Sequence, residues 1–404
     1  MLRIDLMERV VIVGASLAGH RAAETLLAEG FDGEVVLIGA EPHLPYDRPP
    51  LSKRVLSGEW EPERAQLRKP EQIDALPVSW RTGVAATGLD LARRVVRLDD
   101  GTTESFDGLV VATGATPRRI PGQEAHARAH VLRTIDQSIA LRDDLAGDPR
   151  RVVVVGAGFI GLEVAATARM LGHDVVVLEG AAAPLIRGLG AEMGPAVAAI
   201  HADHGVGVRC GVSVAGFEPG AVVLADGERV AADVLVVGIG VAPTVEWMAD
   251  SGLTVDDGVV CGPDLAARGA DLVYAAGDVA RWHHPSLGTS IRIEHWTNAA
   301  EQGAVAAKNL LAEAAGVDTT PYDPVPFFWS EQYDRRIQFL GRRVGDDEVT
   351  VVAGSVDERR FAALYASEGR LTGVLGVNMP KIVMPFRVHL AAGISIADAL
   401  DIVD

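Results

Sequence analysis

Three glycines and one glutamate stand at the spacing of a phosphate- and ribose-binding element. Gly156, Gly158 and Gly161 form the pattern G-x-G-x-x-G. The missing side chains permit a tight turn, close approach of the backbone to a pyrophosphate, and close packing of a helix on a strand. Glu179 lies 23 residues after Gly156, where a carboxylate can accept hydrogen bonds from ribose hydroxyls. This spacing predicts a dinucleotide site.

The segments around these glycines are the ones that such a site needs. Residues 152–155 are four successive valines, which is typical of a parallel strand buried on both faces. A helix is expected to follow the glycines and to offer free N-terminal amides to phosphate oxygens. A second apolar run, 175–178, ends at Glu179. Glu179 would repel a 2′-phosphate and residues 180–183 supply no cation, so NAD is favoured over NADP.

An earlier segment repeats this design. Residues 10–13 and 35–38 are the expected strands, Gly14, Ser16 and Gly19 the loop, and Glu41 the acidic end. G-x-S-x-x-G alone is a weaker signal, because a serine side chain must fit near the phosphates. Later landmarks keep one register in both copies: Asp100-Gly101 and Asp226-Gly227, Asp107 and Asp233, Gly114 and Gly240, Pro117 and Pro243. The chain is therefore expected to contain two related dinucleotide modules.

Two modules predict two dinucleotides. One enzyme rarely needs two nicotinamides, so the economical pair is FAD and NAD, with hydride passing between them. The second module has the complete glycine pattern and the ribose carboxylate, which favours NAD there. The first module is then expected to hold FAD together with a later strand that ends in Gly277-Asp278 and a helix from about Thr297.

The composition of the chain limits its possible partners, cofactors and location. The 404 residues include 37 Lys and Arg against 55 Asp and Glu, a formal charge of −18, which argues against generic binding of nucleic acids or anionic membranes. Cys210 and Cys261 form no C-x-x-C pair, so no metal site or disulfide framework is expected. Charges interrupt the leader (residues 1–9) and every long apolar run, so neither a signal peptide nor a membrane span is expected, and a cytoplasmic location is favoured.

Several segments together resemble one known family. They are VIVGASLAG from Val11, GAEPHLPYDRPPLSK from Gly39, ATGATPR from Ala112, GFIGLEVA around Phe159, YAAGDVA from Tyr274, EHWTNAAEQG from Glu294 and FFWSEQY from Phe327. The chain resembles FAD-dependent, NADH-linked ferredoxin reductases, similar to putidaredoxin and rubredoxin reductases, which serve oxygenase and cytochrome P450 systems. The matches cover nearly the whole chain and are much more specific than either glycine pattern alone.

The resemblance implies an α/β fold of the glutathione-reductase type, with two Rossmann-like domains and a small α+β C-terminal domain. The expected domains are 1–117 with 243–320 for FAD, 118–242 for NAD, and 321–404 at the C-terminus. The chain is expected to be a monomer or a weak homodimer.

The resemblance also implies roles for individual residues. Those expected at FAD are Gly14, Ser16, Gly19, Glu41, Arg48, Lys53, Thr113, Gly114, Arg118, Gly277, Asp278, Trp296 and Trp329. Those expected at NAD are Gly156, Gly158, Gly161, Glu163 and Glu179. Lys53 and Glu163 are the candidate catalytic pair, expected to form an ion pair near the reactive end of the flavin. The alternative is an exposed lysine and an unrelated glutamate on a helix surface.

The segment 44–53, LPYDRPPLSK, lacks the redox cysteines that related disulfide reductases carry there. Electrons are therefore expected to leave the flavin directly, toward a ferredoxin or a rubredoxin. Such acceptors are usually acidic, so a local basic patch is expected, from among Arg48, Arg54, Arg335, Arg336, Arg342 and Arg343. Two other functions stay open: an NADH oxidase that uses oxygen, and an interaction protein resembling apoptosis-inducing factor, in which NADH binding controls association.

Overall fold

A computed structural model describes residues 7–403. Its strands are β1 Arg9–Val13, β2 Glu34–Gly39, β3 Val78–Thr82, β4 Ala86–Asp90, β5 Val95–Leu98, β6 Thr103–Ser105, β7 Gly108–Val111, β8 Ala115–Pro117, β9 Ala129–His130, β10 Arg151–Val155, β11 Asp174–Glu179, β12 Gly207–Cys210, β13 Val214–Glu218, β14 Ala221–Leu224, β15 Arg229–Ala231, β16 Val234–Val237, β17 Val241–Pro243, β18 Val259–Cys261, β19 Val273–Ala275, β20 Ala280–His284, β21 Thr289–Arg292, β22 Phe327–Gln332, β23 Arg335–Gly341, β24 Glu348–Ser355, β25 Arg360–Ser367 and β26 Arg370–Val377.

The helices are α1 Leu17–Ala28, α2 Pro70–Asp74, α3 Ile135–Leu145, α4 Phe159–Met170, α5 Ile186–Asp203, α6 Trp296–Ala314, α7 Pro380–Val383, α8 Phe386–Ala391 and α9 Ile396–Val403. Short 3-10 helices connect several of these elements, among them Pro49–Ser52 and Gly277–Val279. Between residues 7 and 403 no helix is long and apolar enough to cross a membrane. The first six residues of the leader lie outside the described range.

The chain divides into two compact units, each made of several segments. Unit 1 contains the described residues up to Asp47, Gln66–Thr116 and Ala242–Pro324. Unit 2 contains Arg48–Ala65, Pro117–Val241 and the described residues from Val325 onward.

Unit 1 is organised around a parallel sheet with strand order β19-β7-β1-β2-β3. Its central strands are buried on both faces: Val10, Val11 and Ile12 are each 0% exposed, which explains their unbroken apolar sequence. α1 packs against α6 beside this sheet. Two three-stranded sheets, β4-β5-β6 and β18-β20-β21, complete the unit.

Unit 2 contains a parallel sheet of corresponding design, with order β12-β11-β10-β16-β9. An antiparallel sheet, β13-β14-β15, accompanies it as β4-β5-β6 does in unit 1. The C-terminal part forms a five-stranded antiparallel sheet, β22-β23-β26-β25-β24, with α7, α8 and α9. α4 lies against β10, β11 and β22. The predicted α/β fold class, with its small C-terminal α+β domain, is confirmed.

The predicted internal repeat is confirmed by hydrogen bonding as well as by strand order. The Asp107 carboxylate accepts a hydrogen bond from the Arg9 amide at 2.9 Å, at the start of β1. The Asp233 carboxylate accepts one from the Arg151 amide at 2.8 Å, at the start of β10. Each aspartate therefore fixes the central strand of its sheet, and the common register of the two copies reflects one structural role.

Asp233 makes a testable contribution to stability. Its carboxylate also binds the Arg151 guanidinium, and that interaction lowers the pKa of Asp233 to about 2. Because the folded-state pKa is depressed, the stabilisation is present above the unfolded value of 3.8 and is lost as the pH falls toward about 2. We expect Asp233→Asn to lower the Tm by about 2 °C at pH 7 and by nothing measurable near pH 2. Scanning calorimetry at both pH values checks this, and an equal loss at both would contradict it.

Candidate dinucleotide sites and a buried ion pair

The glycine loop of unit 2 has two structural glycines and one that faces open space. Gly156 has φ +108°, and an added Cβ would lie 2.4 Å from the Gly238 carbonyl oxygen. At Gly161 an added Cβ would lie 2.1 Å from the Gly156 carbonyl oxygen. At Gly158, the residue before α4, an added Cβ would meet no heavy atom of residues 7–403 within 4 Å apart from its chain neighbours, and no side chain in that range caps the helix. This open space at a helix N-terminus fits a pyrophosphate.

Glu179 stands at the end of β11, beside the same loop. Its carboxylate oxygens accept hydrogen bonds from the Ala157 amide at 2.6 Å and the Ala181 amide at 2.8 Å. These bonds fix the side chain, and each carboxylate oxygen retains a further lone pair for a ribose hydroxyl. The donor and acceptor chemistry therefore fits NAD.

Unit 1 repeats the loop. The Gly14 amide donates to the Ile38 carbonyl at 2.7 Å, as the Gly156 amide donates to Leu178 at 2.7 Å. Gly14 has φ +123°, and an added Cβ would lie 2.0 Å from the Ala112 carbonyl oxygen. Ser16 precedes α1 with extended backbone, and within the described part of the chain its side chain makes no capping hydrogen bond. Glu41, beyond β2, accepts a hydrogen bond from the Tyr46 hydroxyl. The serine variant thus preserves the loop geometry.

The other unit 1 candidates lie at the ends of neighbouring elements. Gly277 has φ +78°, and its amide donates to the Gln302 side chain at 2.8 Å. Asp278 is buried beside it. Thr113 donates to the Thr244 carbonyl at 2.8 Å, next to Gly114 with φ +67°.

α6 begins at Trp296, one residue before the predicted start. The Trp296 indole donates to Asp47 at 2.7 Å, and burial raises the pKa of the Asp47 carboxyl.

Lys53 and Glu163 form the predicted ion pair. The Lys53 Nζ lies 2.7 Å from Glu163 Oε2, with side-chain exposures of 14% and 3%. Lys53 also donates to the Pro49 carbonyl at 2.9 Å. The Ser52 hydroxyl donates to Glu163 Oε2 at 2.5 Å, and the Ser330 hydroxyl donates to Oε1 at 2.6 Å. A lysine and a carboxylate held in this way form a charged, strongly positioned pair. The alternative of an exposed lysine and a helix-surface glutamate is wrong, whereas the place of the pair beside a flavin stays a prediction.

The remaining candidates lie in unit 2. Arg48 donates to the Arg133 carbonyl at 2.6 Å, and Arg118 donates to the Val241 carbonyl at 3.1 Å. Trp329 is half-buried and stacks on Phe327, with ring centroids 6.1 Å apart. Unit 1 thus brings together the loop of Gly14, the Glu41 carboxylate and the Gly277-Asp278 turn. Unit 2 holds Arg48, Lys53, Arg118 and Trp329 with the whole predicted NAD set.

Sequence reasoning missed the polar partners of these residues: Tyr46, Asp47, Ser52, Gln302 and Ser330. Tyr46, Asp47 and Ser52 fall inside the segment that carries the family resemblance, and Gln302 and Ser330 fall inside two others. Their position inside those segments is the sequence feature that could have indicated a role at the site.

Two glycine loops, two carboxylates at strand ends and a buried Lys–Glu pair define an α/β oxidoreductase with two dinucleotide sites. The family model described as pyridine nucleotide-disulphide oxidoreductase matches residues 8–303, and the one described as reductase C-terminal matches residues 327–403. The chain belongs to the pyridine nucleotide-disulphide oxidoreductase family. The predicted family is therefore confirmed.

Relatives of known activity cover almost the full chain. The chain is 41% identical over 390 residues to the ferredoxin–NAD(+) reductase component of the anthranilate 1,2-dioxygenase system of Burkholderia cepacia, covering 95% of this chain and 94% of that protein. It is 38% identical to rhodocoxin reductase of Rhodococcus erythropolis, covering 95% and 89%. The crystal structure of a covalent putidaredoxin reductase–putidaredoxin complex superimposes with a TM-score of 0.91 at 32% identity, covering 98% of each chain.

Proposed function

We propose that this protein is an NADH-dependent ferredoxin reductase that uses FAD and serves an oxygenase or a cytochrome P450. The observation that carries the proposal is the presence of two dinucleotide loops in one chain, several of whose relatives are named ferredoxin–NAD(+) reductase components and match it over nearly their full length. The absence of a cysteine from residues 44–53 favours direct electron transfer over a disulfide relay. The proposed location is the cytoplasm, where NADH is supplied.

We assign FAD to residues 1–117 with 243–320 and NADH to residues 118–242, with 321–404 as the C-terminal domain. In the first range, the Gly14–Gly19 loop and Glu41 would hold the pyrophosphate and a ribose of FAD. In the second, Gly158 would leave room for the NADH pyrophosphate, and Glu179 would accept from its adenosine ribose. FAD, when bound, supplies the conversion of a two-electron hydride donor into single electrons for an iron–sulfur protein.

The chain's own contribution is orientation and electrostatics. Glu163, fixed by two serine hydroxyls, is proposed to orient the carboxamide end of NADH. Lys53 is proposed to place a positive charge where hydride is accepted. Both side chains are preorganised and nearly excluded from water. Charged groups stabilise a transition state more strongly in such a site than in bulk solvent.

The partner is proposed to be a ferredoxin, and a rubredoxin is the second candidate. Surface arginines are the proposed docking groups, since the chain as a whole is acidic. Arg54 lies over the Trp60 ring at 4.9 Å, whereas Arg335 pairs with Asp334 at 2.6 Å and Arg343 donates to Gly345. Arg336 and Arg342 are exposed and are the better placed of the C-terminal set to meet an acidic partner.

Aerobic turnover with NADH, a 2Fe–2S ferredoxin and cytochrome c tests the proposal. We expect rapid, ferredoxin-dependent reduction of cytochrome c and little hydrogen peroxide. Ferredoxin-independent oxygen consumption would indicate the oxidase. A long-lived reduced complex with NAD⁺ that ignores both acceptors would indicate the interaction protein.

Glu179 is expected to set the preference for NADH. Glu179→Gln keeps the size of the side chain but removes the charge that repels a 2′-phosphate and one of the two strong acceptors. We expect KM for NADH to rise about tenfold, while KM for NADPH rises less or falls. Steady-state kinetics with both nucleotides measures the two KM values. An unchanged ratio of KM for NADPH to KM for NADH would exclude the role assigned to Glu179. Glu228→Gln, which alters an exposed carboxylate paired with Arg209, is the matched control.

A further inference from the structure

A line of hydrogen bonds leads from the Glu163 carboxylate into the C-terminal sheet of unit 2. Glu163 Oε1 accepts from the Ser330 hydroxyl at 2.6 Å. Ser330 Oγ in turn accepts from the Gln332 amide nitrogen at 3.1 Å. Both residues are on β22 and point to the same side of the strand, because they are two positions apart. Their exposures are 1% and 0%, so these bonds are shielded from water.

His201 on α5 continues the line. Its Nε2 lies 2.9 Å from the Gln332 amide oxygen, and its Nδ1 lies 3.2 Å from the Tyr333 hydroxyl. Burial lowers the pKa of His201 to about 4, so the ring is neutral at physiological pH. Nε2 must then carry the proton, because the amide oxygen can only accept. Nδ1 is left to accept from Tyr333.

The donor and the acceptor of every hydrogen bond in this line are therefore determined. Tyr333 donates to His201, His201 to Gln332, Gln332 to Ser330, and Ser330 to the carboxylate. Aligned donors of this kind polarise one another and stabilise a negative charge at the accepting end. A buried network of this sort is costly when it is only partly satisfied, and here each link described has its partner.

The far end of the line is anchored in the turn between β22 and β23. Tyr333 has φ +55°, a conformation that is uncommon for a residue with a side chain. Its ring stacks on His204 with centroids 3.6 Å apart and an interplanar angle of 5°. Tyr333 is thus held by two contacts: its hydroxyl bonds to His201 on α5, and its ring stacks on His204, the residue that follows α5.

We propose that Ser330, Gln332, His201 and Tyr333 form a positioning chain that holds the Glu163 carboxylate in its ion pair with Lys53. These four residues give the C-terminal sheet a part in flavin reduction, because Ser330 on β22 donates a hydrogen bond to the Glu163 carboxylate on α4. Ser330 is then a positioning residue for hydride transfer from NADH. This inference rests on the proposed function only for its kinetic consequence.

The test compares Ser330→Ala, which removes the donor, with Ser330→Thr, which keeps it. Gln332→Leu breaks the next link, and Ser395→Ala, which removes a surface serine–aspartate bond of 2.7 Å, is the control. Anaerobic stopped-flow mixing gives the NADH-dependent reduction rate at saturation and the Kd for NADH. The second readout is acylation of Lys53, quantified by mass spectrometry against Lys69, Lys308 and Lys381, the chain's other lysines.

We expect Ser330→Ala and Gln332→Leu to lower the saturating rate about tenfold, with Kd changed less than about twofold. Lys53 acylation should rise at least about threefold in both variants, because its partner is less well held. Ser330→Thr and Ser395→Ala should resemble the unchanged protein. Normal Lys53 labelling and normal rates in both Ser330→Ala and Gln332→Leu would overturn the proposal. If even the unchanged protein failed to oxidise NADH, the proposed function would fall, while the labelling would still decide the positioning role.

Discussion

Replacement of Lys53 by methionine is expected to slow NADH-dependent reduction of the protein about 100-fold. The change leaves the Glu163 carboxylate, 3% exposed, with serine hydroxyls but no counter-charge. Loss of one partner from a buried pair costs about 3 kcal/mol, and a preorganised charge at a reaction centre contributes a comparable amount to the rate. Anaerobic stopped-flow measures the rate, and urea unfolding measures the free energy of unfolding.

Two further variants distinguish the effect of Lys53 on the reduction rate from its effect on the free energy of unfolding. The double variant Lys53→Met with Glu163→Gln removes the unpaired charge, so it should recover most of the stability but not the rate. Lys308→Met is the matched control: that lysine pairs with Glu29 at 3.1 Å, with exposures of 58% and 46%, and such a pair contributes less than about 1 kcal/mol. A rate that stayed within twofold for Lys53→Met would remove this pair from the mechanism.

Gly158→Val is expected to weaken NADH binding at least tenfold without unfolding the protein. Gly158 has extended backbone, with φ −80° and ψ 176°, which a β-branched residue adopts readily. Apart from its two chain neighbours, no atom of residues 7–403 would lie within 4 Å of the new Cβ. The free energy of unfolding should therefore fall by only about 1 kcal/mol, as at a helix N-cap. The valine side chain would, however, fill the space that a pyrophosphate needs.

Two other glycines make this prediction specific. Gly216 also faces open space but lies on β13, outside the loop, so Gly216→Val should leave binding unchanged. Gly156→Ala should instead destabilise the fold by about 2 kcal/mol or more, because φ is +108° and the new methyl group would lie 2.4 Å from the Gly238 oxygen. The Kd for NADH from anaerobic stopped-flow, together with thermal unfolding, distinguishes the three variants. Tight binding by Gly158→Val would show that this loop does not hold the nucleotide.

The fold was predictable because its signals are local and occur twice. Four valines in a row, glycines at fixed spacing and an acid at the strand end each report on one βαβ unit. The repeated aspartates, Asp107 and Asp233, bind the backbone at the start of a central strand. A repeat of this kind requires no knowledge of long-range contacts.

The serine partners of Glu163 could not be predicted in the same way. Ser52 and Ser330 lie 111 and 167 residues from it in sequence, and a serine in a strand or turn carries no chemical signal of its own. Glu179 was predicted as a ribose acceptor, yet its bonds to Ala157 and Ala181 depend on loop geometry that spacing does not specify. The grouping of Arg48–Ala65 with unit 2 likewise follows from tertiary packing.

The most direct test is anaerobic stopped-flow mixing of the purified protein with NADH or NADPH, followed by oxidised ferredoxin. We expect rapid loss of flavin absorbance with NADH, much slower loss with NADPH, and rapid recovery of absorbance when ferredoxin is added. A reduced protein that did not react with ferredoxin or rubredoxin but reacted quickly with oxygen would contradict the proposed function.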